Sequence, residues 1–380
     1  MTSPSSKPRV LLVTRTGALA TGGGQGHNIS TRHHAHAFDG AECQDHLVPL
    51  PGGAGLVRKA QTFARLRHGH LAGVHAGAIA DFERALERVN PAAVFFDSTL
   101  FGPLAAIAKH HGCRVFTQSH NCEYDFYAGE AALRGGLAGE LLRAAYRAEF
   151  QAIASSDVVF ALSAYDRERM RQVYGGPDDC RVVNPHVQAL AARLQAAKEP
   201  GPRTGVPSAV FLGSAGQQNR LACSLLSSRW TGGLARLTVI GSVGDWLRRE
   251  HDDTVLATRG VTVAGFVDSL DGALAAADAM VCPMHLGSGI KVKMIDALAN
   301  GCPVLASPEA MHGFEFAEAS GWVRGCALGD MEQAVAKTRS AGLSLRQLLI
   351  DATREAAIQA TALRAAYAAF GLVATAGGAS

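Results

Sequence analysis

Short, unbroken apolar runs recur along this chain, and the stretches between them have a helical pattern. Arg9-Val-Leu-Leu-Val13, Ala92-Ala-Val-Phe-Phe96, Arg114-Val-Phe-Thr117 and Asp157-Val-Val-Phe-Ala161 mark the first half. Ala209-Val-Phe-Leu212, Leu237-Thr-Val-Ile240, Val261-Thr-Val263, Ala279-Met-Val-Cys282 and Pro303-Val-Leu-Ala306 mark the second. A strand wet on one face alternates apolar and polar residues, whereas a run apolar throughout has both faces covered. Such strands separated by helices, here predicted over 27–38 and 104–110 among others, build parallel sheets between helical layers. Glu199-Pro-Gly-Pro-Arg-Thr-Gly-Val-Pro207 separates the two sets of runs and is dense in Pro and Gly. At 380 residues there is room for two cores. The expectation is an α/β chain of two doubly wound domains, 1–200 and 201–343, facing a cleft. The remainder, 344–380, predicts an amphipathic helix carrying Leu345, Leu348, Ala352, Ala356, Leu363, Tyr367 and Phe370 at spacings near three, four or seven, with Gly371 as C-cap and a flexible tail beyond.

Charge and cysteine content narrow the function. Thirty-six basic and 33 acidic residues leave a net +3, too even a balance for a nucleic-acid binder. None of the eight Cys forms a C-x-x-C pair, so neither a zinc knuckle nor a redox motif is signalled. The run at 10–13 is too short for a signal peptide. The stretch 92–108, interrupted by Asp97 and Pro103, is shorter than the ~20 residues of a spanning helix. A cytoplasmic protein with reduced thiols is expected. Arg58, Lys59, Arg65, Arg67, Arg143 and Arg147 read as ordinary surface, and also suit contact with an anionic membrane face. His27, His33, His34 and His36 share one predicted helix, but no Cys or carboxylate stands in register, so no metal is expected.

The segment richest in chemistry is Gly287-Ser-Gly-Ile-Lys-Val-Lys-Met-Ile-Asp-Ala-Leu-Ala-Asn-Gly-Cys-Pro-Val-Leu-Ala306. A strand, a Gly-containing loop and a helix starting near Ile290 follow one another, and the helix ends at Asn300-Gly301. Unpaired N–H groups and the positive dipole end of such a helix suit a phosphate, with Lys291 and Lys293 adding charge. Ile290, Met294, Ala297 and Leu298 make the sheet-facing side, leaving Asp296 free near the loop. Gly22-Gly-Gly-Gln-Gly26 follows the first strand without a dinucleotide fingerprint or a P-loop Lys, and reads either as a plain turn or as a ligand contact. His120, in Gln118-Ser-His-Asn121, follows a strand at the end where open sheets place ligands, and is either structural or functional. Glu123 and Asp125 nearby suit capping, Arg pairing or chemistry.

The 287–306 segment resembles the donor-binding motif of retaining glycosyltransferases of the GT-B fold, family four, of the bacterial exopolysaccharide type, in which G-S-G-I-K-x-K-x-x-E-A-L-A-x-G-x-P-V is common. Ala209-Val-Phe-Leu-Gly-Ser214 with Asn219, Val263-Ala-Gly-Phe-Val267 and Ser119-His-Asn-Cys-Glu-Tyr-Asp125 resemble further stretches of that family. The resemblance implies a GT-B fold with a C-terminal helix crossing back to the N-domain. It implies a nucleotide-sugar donor held by Gly213, Asn219, Phe266, Val267, Gly287, Ser288, Gly289, Ile290 and Asp296. It gives Lys291 to the diphosphate, Gly23, Gly24 and Gln25 to the acceptor and diphosphate loop, and His120 to the transferred sugar or acceptor. The implied acceptor is a glycan or lipid-linked glycan, with no cofactor and no metal. Two departures stand out. Ser288 occupies the first glutamate position of many members, and Asp296, one methylene shorter, occupies the second, which the family gives to ribose. A GT-B sugar-nucleotide epimerase and a non-catalytic sugar- or partner-binding relative are the alternatives.

Overall fold

The computed structural model describes residues 7–15, 26–49, 66, 68–134, 138–197, 199, 201, 203–286, 288–338 and 342–374. The chain forms two compact units, Met1–Pro185 with Ile358–Ser380 and His186–Ala357.

In the first unit the strands are β1 (Arg9–Arg15), β2 (Glu42–Val48), β3 (Ala93–Phe96), β4 (Arg114–Gln118), β5 (Val158–Ala161) and β6 (Cys180–Val182). They form one sheet in the order β2-β1-β3-β4-β5-β6, with every pair parallel. In the second unit β7 (Ser208–Leu212), β8 (Arg236–Ile240), β9 (Val261–Gly265), β10 (Ala279–Cys282), β11 (Val304–Ala306) and β12 (Val323–Gly325) form another parallel sheet, ordered β12-β11-β10-β7-β8-β9. All nine apolar runs are strands. Beyond these runs β2, β6 and β12 are strands too, and each lies at a sheet edge. Their sequences explain this: β2 reads Glu-Cys-Gln-Asp-His-Leu-Val and is mostly exposed, because an edge strand has less surface to bury.

Both faces of the first sheet are covered. Leu11 and Val13 join Phe82, Phe96, Phe101 and Leu104 on one side. Val10 and Leu12 join Phe38, Phe95, Phe116 and Phe160 on the other. Gly102 starts the helix Gly102–His110 against the helix Ala138–Ser155; a Cβ at Gly102 would lie 1.9 Å from the Ala148 carbonyl oxygen, so only glycine allows that approach.

The C-terminal helix, Leu345–Ala368, starts where expected, and its last turns return to the first unit. Leu363, Ala366 and Tyr367 are fully or almost fully buried in the core with Val10, Phe38 and Phe116. His34, in the helix Gly26–Ala37, fixes this closure. Its ring is wholly buried and stacks on Phe95 at 4.3 Å. Gln118 spends its amide N–H groups on the Ser119 and Phe160 carbonyls, so Oε1 faces His34 Nε2 at 2.8 Å and must accept. His34 therefore carries its proton on Nε2, and Nδ1 accepts from the Tyr367 hydroxyl at 2.5 Å. Burial, aided by His33, holds this imidazole neutral, with its pKa down at about 3.

The unit boundary falls at Pro185/His186, whereas the sequence suggested residue 200. The helix Pro185–Ala196 sends Arg193 to Asp271 and Asp296, and Glu199 accepts the Leu345 N–H. The Pro/Gly stretch is therefore a connection inside the second unit. No helix among the described residues is long and apolar enough to cross a membrane.

Replacing Tyr367 with Phe leaves His34 Nδ1 buried without its donor. The first unit should lose about 1–3 kcal/mol of stability. Denaturant titration followed by a first-unit probe checks this, and an unchanged midpoint would show that the hydroxyl contributes nothing.

Candidate functional site

Three strands of the first sheet end within two residues of one another: β3 pairs its last residue, Phe96, with Val13 of β1 and with Thr117 of β4. The residues just beyond them therefore converge at the carboxyl edge of the sheet. Asp97 follows the apolar run of β3, and its N–H donates to the Val13 carbonyl at 3.0 Å. Its buried side chain accepts the hydroxyls of Thr14 at 3.2 Å and Thr31 at 2.8 Å, both on Oδ2. The remaining oxygen, Oδ1, faces Nε2 of His120 at 3.0 Å. His120 is thus brought to this edge, its ring 16% exposed and within reach of a ligand. Gly23, Gly24 and Gln25, expected to act here, lie outside the described residues, as do Arg58, Lys59, Arg65 and Arg67.

Behind His120 lie two buried acids. Glu149 sits wholly inside, accepting from the Thr99 hydroxyl at 3.1 Å, the Tyr124 N–H at 3.2 Å and the Tyr174 hydroxyl at 2.6 Å. Burial, and then the charge of Glu123, push its pKa up to about 8. Glu123 is also raised by burial, an effect opposed by Arg15 and His120. Arg15 Nε and Asn121 Oδ1, at the ends of β1 and β4, are buried without hydrogen-bond partners. Asp125 pairs with Arg169 through two bonds of 2.8 Å.

At the carboxyl edge of the second sheet, the helix after the glycine loop spans Val292–Ala299, beginning two residues later than expected, with Lys291 at its N-cap. Met294, Ala297 and Leu298 are fully buried and Ile290 nearly so, as the periodicity required. Gly289, at φ +73°, turns the loop. Lys291 Nζ folds back onto that loop, donating to the carbonyls of Gly289 at 2.8 Å and Ser288 at 3.3 Å. Lys293 is half-buried. Its Nζ donates to the Leu212 carbonyl and to Asn219 Oδ1, both at 2.9 Å, and lies 4.9 Å from the Phe211 ring centre. Burial pushes this ammonium's pKa down. Asn219 then donates to Ser214 Oγ at 3.2 Å, so Lys293 and Asn219 clamp the loop after β7 to the helix after β10.

The backbone N–H groups of Gly213 and Ala215 donate to the Ile240 carbonyl at 3.1 Å and to Ser242 Oγ at 2.9 Å. One expectation needs correcting here. Asp296 is not free, because its Oδ1 accepts from Arg193 at 2.8 Å. The sequence separates the latter pair widely, so helix periodicity could not anticipate it. Phe266 is 80% exposed beside the half-buried Val267. Gly287 lies outside the described residues. Sequence reading missed Gln218 and Arg220, which open the helix Gln217–Arg229; Nε2 of one and Nε of the other are buried donors without hydrogen-bond partners, the Arg220 guanidinium lying over the Trp246 ring. The signal was a run of polar donors, Gln217-Gln-Asn-Arg220, directly after a strand-and-glycine turn. Among the described residues, no three His, Cys, Asp or Glu are grouped to hold a metal. The second edge thus gathers cationic and neutral donors beside one carboxylate, a combination suited to an anionic, hydroxyl-bearing ligand.

Residues 9–186 match the family described as glycosyl transferase 4-like domain, and residues 207–339 the family described as glycosyl transferases group 1. The fold is similar to the lipopolysaccharide outer core galactosyltransferase WaaB in its apo form, at 13% identity and a TM-score of 0.56 over 95% of this chain and 99% of that one. It is similar to Anabaena HepE in complex with UDP and glucose, at 13% identity and a TM-score of 0.57 over 95% and 98%. An E. coli protein described as trehalose-6-phosphate bound with UDP-2-fluoro glucose is similar at 10% identity and a TM-score of 0.57, over 97% and 99%. No curated protein sequence matches this chain. At these identities the structures speak to the fold, the two Rossmann-like units of GT-B architecture.

The buried acids leave a signature in the pH dependence of stability. Glu149 holds its proton in the folded state up to about 8, while the unfolded chain releases it near 4.5. Its favourable contribution is complete below the lower value and is lost as pH rises through the higher one. Glu149→Gln, neutral throughout, should flatten the fall in melting temperature between about pH 5 and 8. An identical slope in variant and wild type would assign the fall to other groups.

Proposed function

This chain belongs to the glycosyltransferases of GT-B architecture, and we propose that it moves a sugar from a nucleotide-sugar donor to an acceptor hydroxyl with retention of configuration. The observation that carries the donor half is the rim after β7 and β10, where Lys291, the orphaned donors of Gln218 and Arg220, and the carboxylate of Asp296 lie on one sheet edge. HepE, similar in fold, is known with UDP-glucose, which supports a donor of that class.

On this reading the bond from the anomeric carbon to the phosphate oxygen breaks, and the acceptor oxygen takes its place on the same face. The departing phosphate receives the hydroxyl proton. Negative charge grows on the diphosphate, and Lys291 neutralises it on exchanging its loop carbonyls for phosphate oxygens. Ser288, Gly289 and Ile290 shape the loop beneath the diphosphate. Asp296 accepts from the ribose hydroxyls while Arg193 holds its other side, and Phe266 and Val267 offer a surface to the base. His120 meets the transferred sugar or the acceptor, and no cofactor is assigned. The acceptor is a glycan or lipid-linked glycan. For the latter, exposed Tyr146 and Phe150 beside Arg143 and Arg147 supply an amphipathic surface for the inner membrane face.

Lys291→Ala should weaken donor binding by roughly ten- to a hundredfold, the value of a charge-assisted hydrogen bond. Lys293→Ala should instead lower the melting temperature, since it orphans the Leu212 carbonyl and Asn219. Calorimetry with a panel of nucleotide sugars separates the two, and equal donor affinity in wild type and Lys291→Ala would take Lys291 out of the site. The configuration of the product's new bond, read by NMR, tests retention; an inverted anomer would end that part of the reading.

A further inference from the structure

The strongest unabsorbed feature is the carboxyl group behind His120. The geometry points to Asp97 as a positioning residue that fixes the tautomer and aim of His120, with Thr14 and Thr31 as its clamp. The argument starts at Nε2. That nitrogen lies 3.0 Å from Asp97 Oδ1 and 3.1 Å from the Asp97 carbonyl oxygen, and both atoms only accept. A lone pair on Nε2 would face two oxygens, so Nε2 carries the hydrogen. In the neutral ring, Nδ1 is then the accepting atom, and it is the one presented to a hydroxyl of the sugar or acceptor.

The clamp makes this choice one-sided. Thr14 and Thr31 both place their hydroxyls on Oδ2, which leaves Oδ1 for the ring and prevents the carboxyl group from turning. Thr14 belongs to β1 and Thr31 to the helix Gly26–Ala37, so the aim of His120 is set by elements on both sides of β3. Asp97 is 1% exposed and touches no ligand in this scheme. It acts through His120, as an oriented carboxylate acts on an imidazole wherever one nitrogen must stay protonated.

The kinetic part of this inference rests on the sugar-transfer reading; the tautomer part does not. The test is Asp97→Asn in protein labelled with nitrogen-15 histidine, with His120 resonances assigned by their loss in His120→Gln. In the wild type, His120 should show the Nε2–H pattern. In Asp97→Asn the threonine hydroxyls hold the amide oxygen in the place of Oδ2, so the amide nitrogen faces the ring and donates to it. His120 Nε2 then faces that donor as well as the residue-97 carbonyl, so the bias to Nε2–H should be lost and the Nδ1–H tautomer should become populated. Turnover should fall by about a hundredfold, the scale of a misaimed reacting group, with donor affinity within about twofold and the melting temperature nearly unchanged. Combining Asp97→Asn with His120→Ala should cost no more than His120→Ala alone, because the two act as a unit. Thr31→Val, a milder change, should lower turnover several-fold with no tautomer switch, and it serves if Asp97→Asn folds poorly. An Nε2–H tautomer with full turnover in Asp97→Asn would overturn the proposal, as would additive losses in the double variant. A wild type that transfers no sugar from any nucleotide sugar would instead remove the sugar-transfer reading, while the resonances still decide the pair.

Discussion

Donors from three separate elements meet on one buried carboxyl group, and the carboxyl edge of the first sheet is arranged around that meeting. Asp97 sits where β3 ends, between β1 and β4 in the sheet. A polar group there must be satisfied or the edge would not be stable. Thr14, Thr31 and His120 satisfy it, and in doing so they fix the end of β1, the first helix and the turn after β4 relative to one another. A residue of different shape at this position would disturb all three.

The second unit solves a similar problem with a cation. The ammonium of half-buried Lys293 is withdrawn from water, and it is tolerated because a carbonyl and an amide oxygen receive it. The same bonds join two loops at the carboxyl edge. Lys291, two residues earlier, donates to carbonyls of its own loop. Two lysines that look equivalent in the sequence thus hold different parts of the edge.

Much of the architecture was legible because parallel strands buried on both faces leave continuous apolar runs. The edge strands β2 and β12 leave no such run, because an edge strand is less completely covered. Candidate site residues were legible where a glycine loop or a strand end announced them, as with Gly289, Lys291 and His120. What the sequence hid were partnerships across long separations. Nothing near Asp296 signals Arg193, and nothing near His120 singles out Asp97, because an aspartate after a strand is common and only the fold brings it beneath the ring.

The return of the last helix to the first unit also bears on how the protein is made. His34 and Tyr367 are 333 positions apart, yet they share one core. As the chain leaves the ribosome, the second unit can close before the first has its cover. Until Leu363, Ala366 and Tyr367 arrive, one face of the first sheet, with Val10, Leu12, Phe95 and Phe116, lacks the helix that seals it. Nascent chains therefore carry an aromatic face awaiting its lid for most of synthesis, and it is there that a holding chaperone would find its purchase.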